Sequence, residues 1–503
     1  MAFHADNVNF ILGLKLKTFR HEKGFSLKDL AEETGLSVSY LSEIEKGKKY
    51  PKPEKILHLA TALGVQFDEL VSMKVDEALD PLKSILDSPF IQSFPFHLFG
   101  VQPKELLHLI VDAPEKIRAL VHTFLEISHV YDVRVEHFLF AALRSYQQMN
   151  GNYFEDLETA AMEFRKAQGW QDQPSVSLTD LEKTLVSTYG YKLDDQKLES
   201  IAELRDFRSI WVPGKTPRLL INSRLLPSQK AFIFGREIGY SYLGLEERAA
   251  TSSWLRVESF EQVLNNFKAS YFAGALMMHR DILEQDLNLY FQRDRWNNDA
   301  LSLMLRRYTV TPEMFFYRLT EVLPKLFGFN DLFFVRFNTN RSDPKKYRLT
   351  KVFNMSSVPI PHEAMNEHYC HRWPAIRLLK QMMKSAKPDS ADHFEICVER
   401  LKFLDDGKEY FNITLARPLA LADRDFSSVS ICILMNDAFR RKVSFWNDPN
   451  IPQVVVNLTC ERCNLSSDEC QDRVAPPVLY MKTKHQESRE RALDQLIREM
   501  KGK

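Results

Sequence analysis

The stretch up to residue 73 constrains the fold most. Apolar side chains recur there at helical spacing: Leu12, Leu16 and Phe19, then Leu27 and Leu30, then Leu41 and Ile44, then Ile56, Leu59, Ala60 and Leu63. Ser26 followed by Asp29 forms a capping-box pattern with Asp at the third helical position, which predicts a helix opening near Leu27. Gly35 falls where a left-handed residue closes that helix. Ser37 is placed to cap the next helix and Gly47 to end it. Two short helices joined by a tight turn through Gly35 make a helix-turn-helix.

The order "SLKDLAEETGLS", "YLSEIEKGK", "LATALGV" resembles the XRE or phage-repressor helix-turn-helix family over about residues 10 to 71. The resemblance implies a double-stranded DNA operator as partner and places the helix from Val38 to Lys46 in the major groove. Val38, Ser39, Ser42 and Glu43 then meet base edges. Ser37, Lys46, Lys48 and Lys49 meet phosphates, which fix register without reading sequence. Arg20 and Glu45 occupy the positions of a pair that this family keeps between its first and recognition helices. Lys+Arg and Asp+Glu both number 67, so any DNA attraction has to come from a local patch. Residues 46–55 supply one, with five lysines and one glutamate.

With 503 residues, 44% hydrophobic and 27% charged, the chain reads as a multidomain globular protein. No apolar run approaches the length of a membrane span, which predicts no membrane partner. The start "MAFHADNVNF" lacks the pattern of a signal peptide. All six cysteines lie at or beyond Cys370, which points to a reducing, cytoplasmic setting and one local metal site. The expected architecture is mainly α in the N-terminal half and α+β in the C-terminal half. Its parts are a helix-turn-helix domain over residues 8–73, a helical region over 74–172, and a zincin-like domain over 173–300. A sensor-like α+β module over 301–482 and a C-terminal helix or tail over 483–503 complete it. The helical region, broken by Pro81, Pro89, Pro95, Pro103 and Pro114, is expected to dimerise, because helix-turn-helix proteins usually engage two half-sites. "GWQDQPSVS" marks its end.

"KAFIFGREIGYSYL", residues 230 to 243, has the texture of a zinc-peptidase helix without its ligands. Such a helix needs histidines at i and i+4 with a glutamate between them. Here the positions read Arg236, Glu237, Ile238, Gly239, Tyr240. With Phe232, Gly239 and "ASYFAGALMM", residues 175 to 280 resemble the ImmA/IrrE-type peptidase domain. The resemblance puts Lys268 at the third ligand position. Two cations at ligand positions repel Zn²⁺, and loss of the ligands leaves no route to an activated water. The expectation is a peptidase fold that is not an enzyme. Two roles for its polar residues stay open. Arg236, Tyr240 and Lys268 line a pocket for a small acid or phosphate-bearing effector, or Arg236 pairs with Glu237 or Glu261 at the surface.

Toward the C-terminus, "NDLFFVRFNT", "YRLTKVFN", "HFEICVERLKFL", "YFNITLARPLAL" and "SSVSICILMN" read as strands, with helical "AIRLLKQMMKS" between them. The mix suggests a GAF- or PAS-like sensor module. "CERCNLSSDECQDRVAPP" then brings Cys460, Cys463 and Cys470 together, a spacing that favours structural zinc over a disulfide. "HYCHRWPAI" offers Cys370, His368 or His371 as the fourth ligand, with Cys370 preferred. Cys370 with Trp373, Cys470 with Arg473, and "FFVRFNTNRSDPKKY" are similar to motifs of the short-chain fatty-acyl transcriptional regulators. That family implies control of acyl-CoA, propionate or glyoxylate metabolism, with an acyl-CoA or short-chain fatty acid derivative as effector. The chain departs from it in the six residues between Cys463 and Cys470. Two other readings compete: a metallopeptidase that cleaves a partner repressor, and an antitoxin-type autorepressor.

Overall fold

The computed structural model describes residues 6–72, 95–99, 123, 126, 135–251, 257–361, 367–384, 393–422, 425–466 and 468–501. Most of the expected dimerisation segment therefore lies outside the described residues. Two compact units are present, Met1–Ala142 and Leu143–Lys503.

Five helices build the helix-turn-helix part of the first unit: α1 (Asp6–Glu22), α2 (Leu27–Thr34), α3 (Val38–Glu45), α4 (Pro53–Leu63) and α5 (Phe67–Val71). Leu12, Leu16, Leu30, Leu41, Ile44, Ile56, Leu59, Ala60, Leu63 and Leu70 form one buried cluster; all but Leu70 are residues whose spacing marked the helices, and Phe19 and Leu27 pack against it partly buried. The Ser26–Asp29 capping box forms in both directions, at 3.2 and 2.7 Å. Gly35 takes the left-handed conformation, φ 68°, that closes α2. Gly13 lets α1 touch the end of α3, for a Cβ there would sit 2.2 Å from the Ile44 carbonyl oxygen.

The second unit begins inside α6 (Val135–Met149), so residues 143–172 belong to it by packing. Next come α7 (Glu155–Ala167), α8 (Leu178–Ser187) and a small sheet of β1 (Lys192–Asp194), β2 (Ser209–Val212) and β3 (Arg218–Ile221), in the order β1-β3-β2. Two long helices, α9 (Pro227–Tyr242) and α10 (Phe260–Met277), lie against each other. A Cβ at Gly239 would come within 3.0 Å of the Phe272 ring and 3.2 Å of the Ala269 carbonyl oxygen, so glycine permits this closeness.

A helical layer of α11 (Arg280–Phe291), α12 (Asn298–Tyr308) and α13 (Pro312–Phe327) leads into a six-stranded sheet. Its strands are β4 (Leu332–Asn340), β5 (Asp343–Asn354), β6 (Glu395–Phe403), β7 (Glu409–Pro418), β8 (Asp425–Leu434) and β9 (Gln453–Val456), in the order β5-β4-β8-β7-β6-β9. Alternation along β4 decides which helix each face meets. Phe333, Val335 and Phe337 face the cluster around α14 (Pro374–Lys384), while Phe334 meets Tyr317 of α13. A short helix, α15 (Asp437–Lys442), follows β8, and α16 (Val478–Lys501) ends the described chain.

Three helices of this unit are tied by a buried charge cluster. Arg318 of α13 donates to Glu158 of α7 at 2.6 and 2.8 Å and to Glu321 at 3.0 Å, and Tyr271 of α10 donates to Glu158 at 2.7 Å. One guanidinium facing two buried carboxylates cannot keep both ionised cheaply, and burial raises the Glu321 carboxyl to about 8. Among the described residues no helix is long and apolar enough to cross a membrane.

Candidate functional site

The recognition helix presents the residues that the sequence singled out. Ser37 caps α3, its Oγ accepting the Tyr40 backbone N–H at 3.2 Å. Val38 is 44% exposed, so its methyls are available to a thymine methyl group. Ser39 is exposed, and Ser42 and Glu43 are half-buried on the same helix. Lys46, Lys48 and Lys49 are exposed just beyond it. Arg20 holds the helix from behind, Nε to Glu45 Oε1 at 2.6 Å and Nη2 to Oε2 at 3.1 Å, both side chains buried.

Two features here were not foreseen. Lys49 pairs with Glu43 at 2.7 Å, so the proposed phosphate contact and the proposed base reader restrain each other in the free protein. Tyr40 gathers the cations, with Lys55 Nζ 4.3 Å and Lys49 Nζ 5.8 Å from its ring centroid. The lysines lie nine and fifteen residues after Tyr40, beyond its helix, so no helical spacing in the sequence would have found this.

On the peptidase-like helix, Glu237 is wholly buried. Arg248 Nη2 donates to its Oε2, Tyr191 Oη lies 3.4 Å from the same oxygen, and Arg236 Nη2 lies 3.4 Å from Oε1. The Arg248 guanidinium is sandwiched, 4.1 Å from the Trp211 ring centroid and 4.0 Å from that of Tyr240. Its segment is pinned to β2, where the Trp211 N–H donates to the Ala250 carbonyl at 2.7 Å and Ile210 bridges Thr251. Burial works against the Arg248 charge, and the neighbouring Glu237 carboxylate more than restores it. A cation thus stands on the glutamate, and it comes from a loop that no sequence motif marks. Tyr240 is buried and its hydroxyl reaches Asn266 at 3.3 Å. Lys268 is half-buried, and among the described residues no hydrogen bond or ion pair joins it to Arg236 or Tyr240. Of the two roles left open for Arg236, the Glu237 pairing is present, at a buried position and not at the surface.

The four proposed metal cysteines, Cys370, Cys460, Cys463 and Cys470, are all buried and reduced. Backbone bonds draw their segments together, with the Cys370 N–H on Leu458 at 3.1 Å and the Cys460 N–H on His368 at 2.8 Å. Burial pushes the Cys370 thiol up to about 11, and nearby Cys460 and Cys463 add to it. Cys463 is raised by burial as well, with Cys470 and Cys460 adding. His368 is engaged with Glu461, Nδ1 to Oε1 at 2.7 Å. His371 is buried, its imidazole lowered to about 4 by desolvation, and its Nδ1 has no hydrogen-bond partner among the described residues. Among those residues no three His, Cys, Asp or Glu side chains converge on a common metal position.

Known proteins match both functional regions. The helix-turn-helix family matches residues 16–70, and the IrrE N-terminal-like domain of the M78 peptidases matches residues 194–320. The HTH-type transcriptional regulator SinR of Bacillus subtilis is 38% identical over 72 residues, 14% of this chain and 55% of SinR. YazB of the same organism, named an uncharacterised HTH-type transcriptional regulator, is 38% identical over 60 residues, 12% of this chain and 87% of YazB. This chain belongs to the HTH-type transcriptional regulators. The regulator spans about half the length of SinR. A solved Mycobacterium tuberculosis transcriptional regulator aligns with 67% of this regulator and 94% of its own chain, at 17% identity and a TM-score of 0.44.

Proposed function

We propose that this regulator binds its operator as a homodimer in response to a metabolite, and that its peptidase-like domain is not a peptidase. The Glu237–Arg248 pair carries the second half of this reading. A zinc peptidase uses that glutamate to take a proton from metal-bound water. Here the carboxylate is buried and charge-paired, and the flanking ligand positions hold Arg236 and Tyr240, neither suited to Zn²⁺. Retained packing around the helix, with the chemistry removed, suits a domain kept for binding and shape. The effector proposed from the sequence resemblance is an acyl-CoA or a short-chain fatty acid derivative. It acts only if it binds one arrangement of the protein better than another. Structural zinc is proposed as a resident metal on Cys370, Cys460, Cys463 and Cys470. The support is that two separated segments bury four thiols, where a divalent ion would stabilise the thiolates that burial opposes.

The test begins with genomic footprinting to find the operator. Mobility-shift titrations with the full chain, with and without propionyl-CoA, then follow. A shift in operator affinity of several-fold is expected. Zinc-dependent cleavage of a co-regulated repressor that disappears in Glu237→Gln would overturn the reading.

A further inference from the structure

An open cleft of about 570 Å³ lies where α11, the end of α13 and α15 meet, away from the sites above. Arg441, Lys442, Asn288, Gln292, Ser444 and Phe327 line it. The lining therefore holds two cations, two amides, a hydroxyl and an aromatic ring, and no carboxylate. Asp437 opens α15 but does not line the cleft. Arg440 is engaged elsewhere, 5.1 Å over the Trp446 ring. Arg441 and Lys442 are exposed, with Lys442 Nζ 5.5 Å from the Phe327 centroid.

We propose that this cleft is an effector site for an organic phosphate, a proposal that rests on the ligand-responsive reading above. A guanidinium pairs two phosphate oxygens through its planar fork, and an ammonium adds a point charge. The amides and Ser444 can take the ester and hydroxyl oxygens. Phe327, 3% exposed, gives the remainder of the ligand an apolar floor. Metabolite sites usually fall between about 300 and 1,000 Å³, and the cleft is within that range.

The location gives the ligand leverage. Asn288 and Gln292 belong to the helical layer or its end, while Arg441, Lys442 and Ser444 follow the sheet strand β8. A ligand held by both joins the two layers. Behind α15, Phe439 and Val443 line an apolar void of about 20 Å³, about the space of one water-sized group.

Isothermal titration calorimetry of the full chain with adenosine diphosphate, pyrophosphate and citrate tests this. Both phosphates are expected to bind, and citrate at least tenfold more weakly. Arg441→Glu with Lys442→Glu, both exposed, should keep the unfolding midpoint and weaken the diphosphate at least tenfold, whereas Arg236→Ala should leave it unchanged. Unchanged binding in the double variant, or citrate binding as tightly as the diphosphate, overturns the site. If adenosine diphosphate binds but leaves operator affinity unaltered, the effector role falls. If propionyl-CoA shifts operator affinity equally in wild type and double variant, the ligand-responsive reading stands and the cleft is not its site.

Discussion

Glu237 and Arg248, eleven positions apart, form an ion pair with side chains 0% and 6% exposed. Breaking such a pair from one side strands a buried charge, at about 3–5 kcal/mol. Arg248→Met should therefore lower the unfolding free energy of the second unit by that order, read in urea titrations, and Glu237→Gln added to it should restore most of the loss. Two additive losses would show that the residues do not act as a pair.

The basic run beyond α3 makes a prediction about salt. Changing Lys46, Lys48 and Lys49 to Ala should weaken specific and random DNA alike. The slope of log affinity against log salt should shrink by roughly one unit for each phosphate no longer neutralised. Lys49→Ala alone also releases Glu43, so it should change base preference as well. Ser39→Ala should alter preference with little effect on random DNA. An unchanged salt slope in the triple variant would refute the phosphate assignment.

Gly13→Ala tests the contact between α1 and α3. Its Cβ would meet the Ile44 carbonyl at 2.2 Å, so the helices must separate. Overpacking of this kind costs about 1–3 kcal/mol. The thermal midpoint of the first unit should fall and operator binding weaken, while unfolding of the second unit stays as in wild type. Equal stability would mean that the helices approach less closely in solution.

Glu321 sets a pH dependence. Its carboxyl is raised to about 8 by burial, so the folded state holds a proton that the unfolded chain gives up near the ordinary value of 4.5. Stability from this group is full below that ordinary value and is lost as pH rises through about 8. Glu158 is lowered despite burial by its Arg318 contacts, and acts oppositely, losing stability as pH falls through its folded value. Glu321→Gln should flatten the decline between pH 5 and 8 in chemical unfolding. A wild-type profile without that decline would refute the assignment.

For the cysteines, metal analysis of protein purified under reducing conditions should find about one zinc per chain, as one four-ligand site requires. Cys463→Ser should lose the metal and lower the stability of the second unit, leaving the first unaffected. Full zinc retention in Cys370→Ser would move the fourth ligand to His371 or His368.

The DNA-binding end was readable because its signals are local. Ser26, Gly35 and Ser37 act within a turn of where they stand, and nine of the apolar positions at helical spacing became the buried core, joined by Leu70. The Arg20–Glu45 contact came from family likeness and formed as expected. Arg248 was not readable, for it lies in a loop without periodicity and meets Glu237 only through tertiary folding. Glu158 and Arg318 look like ordinary solvent-facing charges on amphipathic helices, and only the packing of α7 against α10 and α13 buries them. The same packing draws residues 143–172 into the second unit, since an apolar stripe tells that a helix is covered and not by what. For the cysteines, sequence clustering led to a metal site; Cys370, Cys460, Cys463 and Cys470 are all buried, but among the described residues no three His, Cys, Asp or Glu side chains converge on a metal position.

The guanidinium on Glu237 is synthesised with the chain. A metal ion must be acquired, can be stripped by a chelator, and can be replaced by a competing ion. Arg248 is open to none of these. The charge balance around Glu237 is therefore set at translation, whatever zinc supply does to the cysteine site proposed in the same unit.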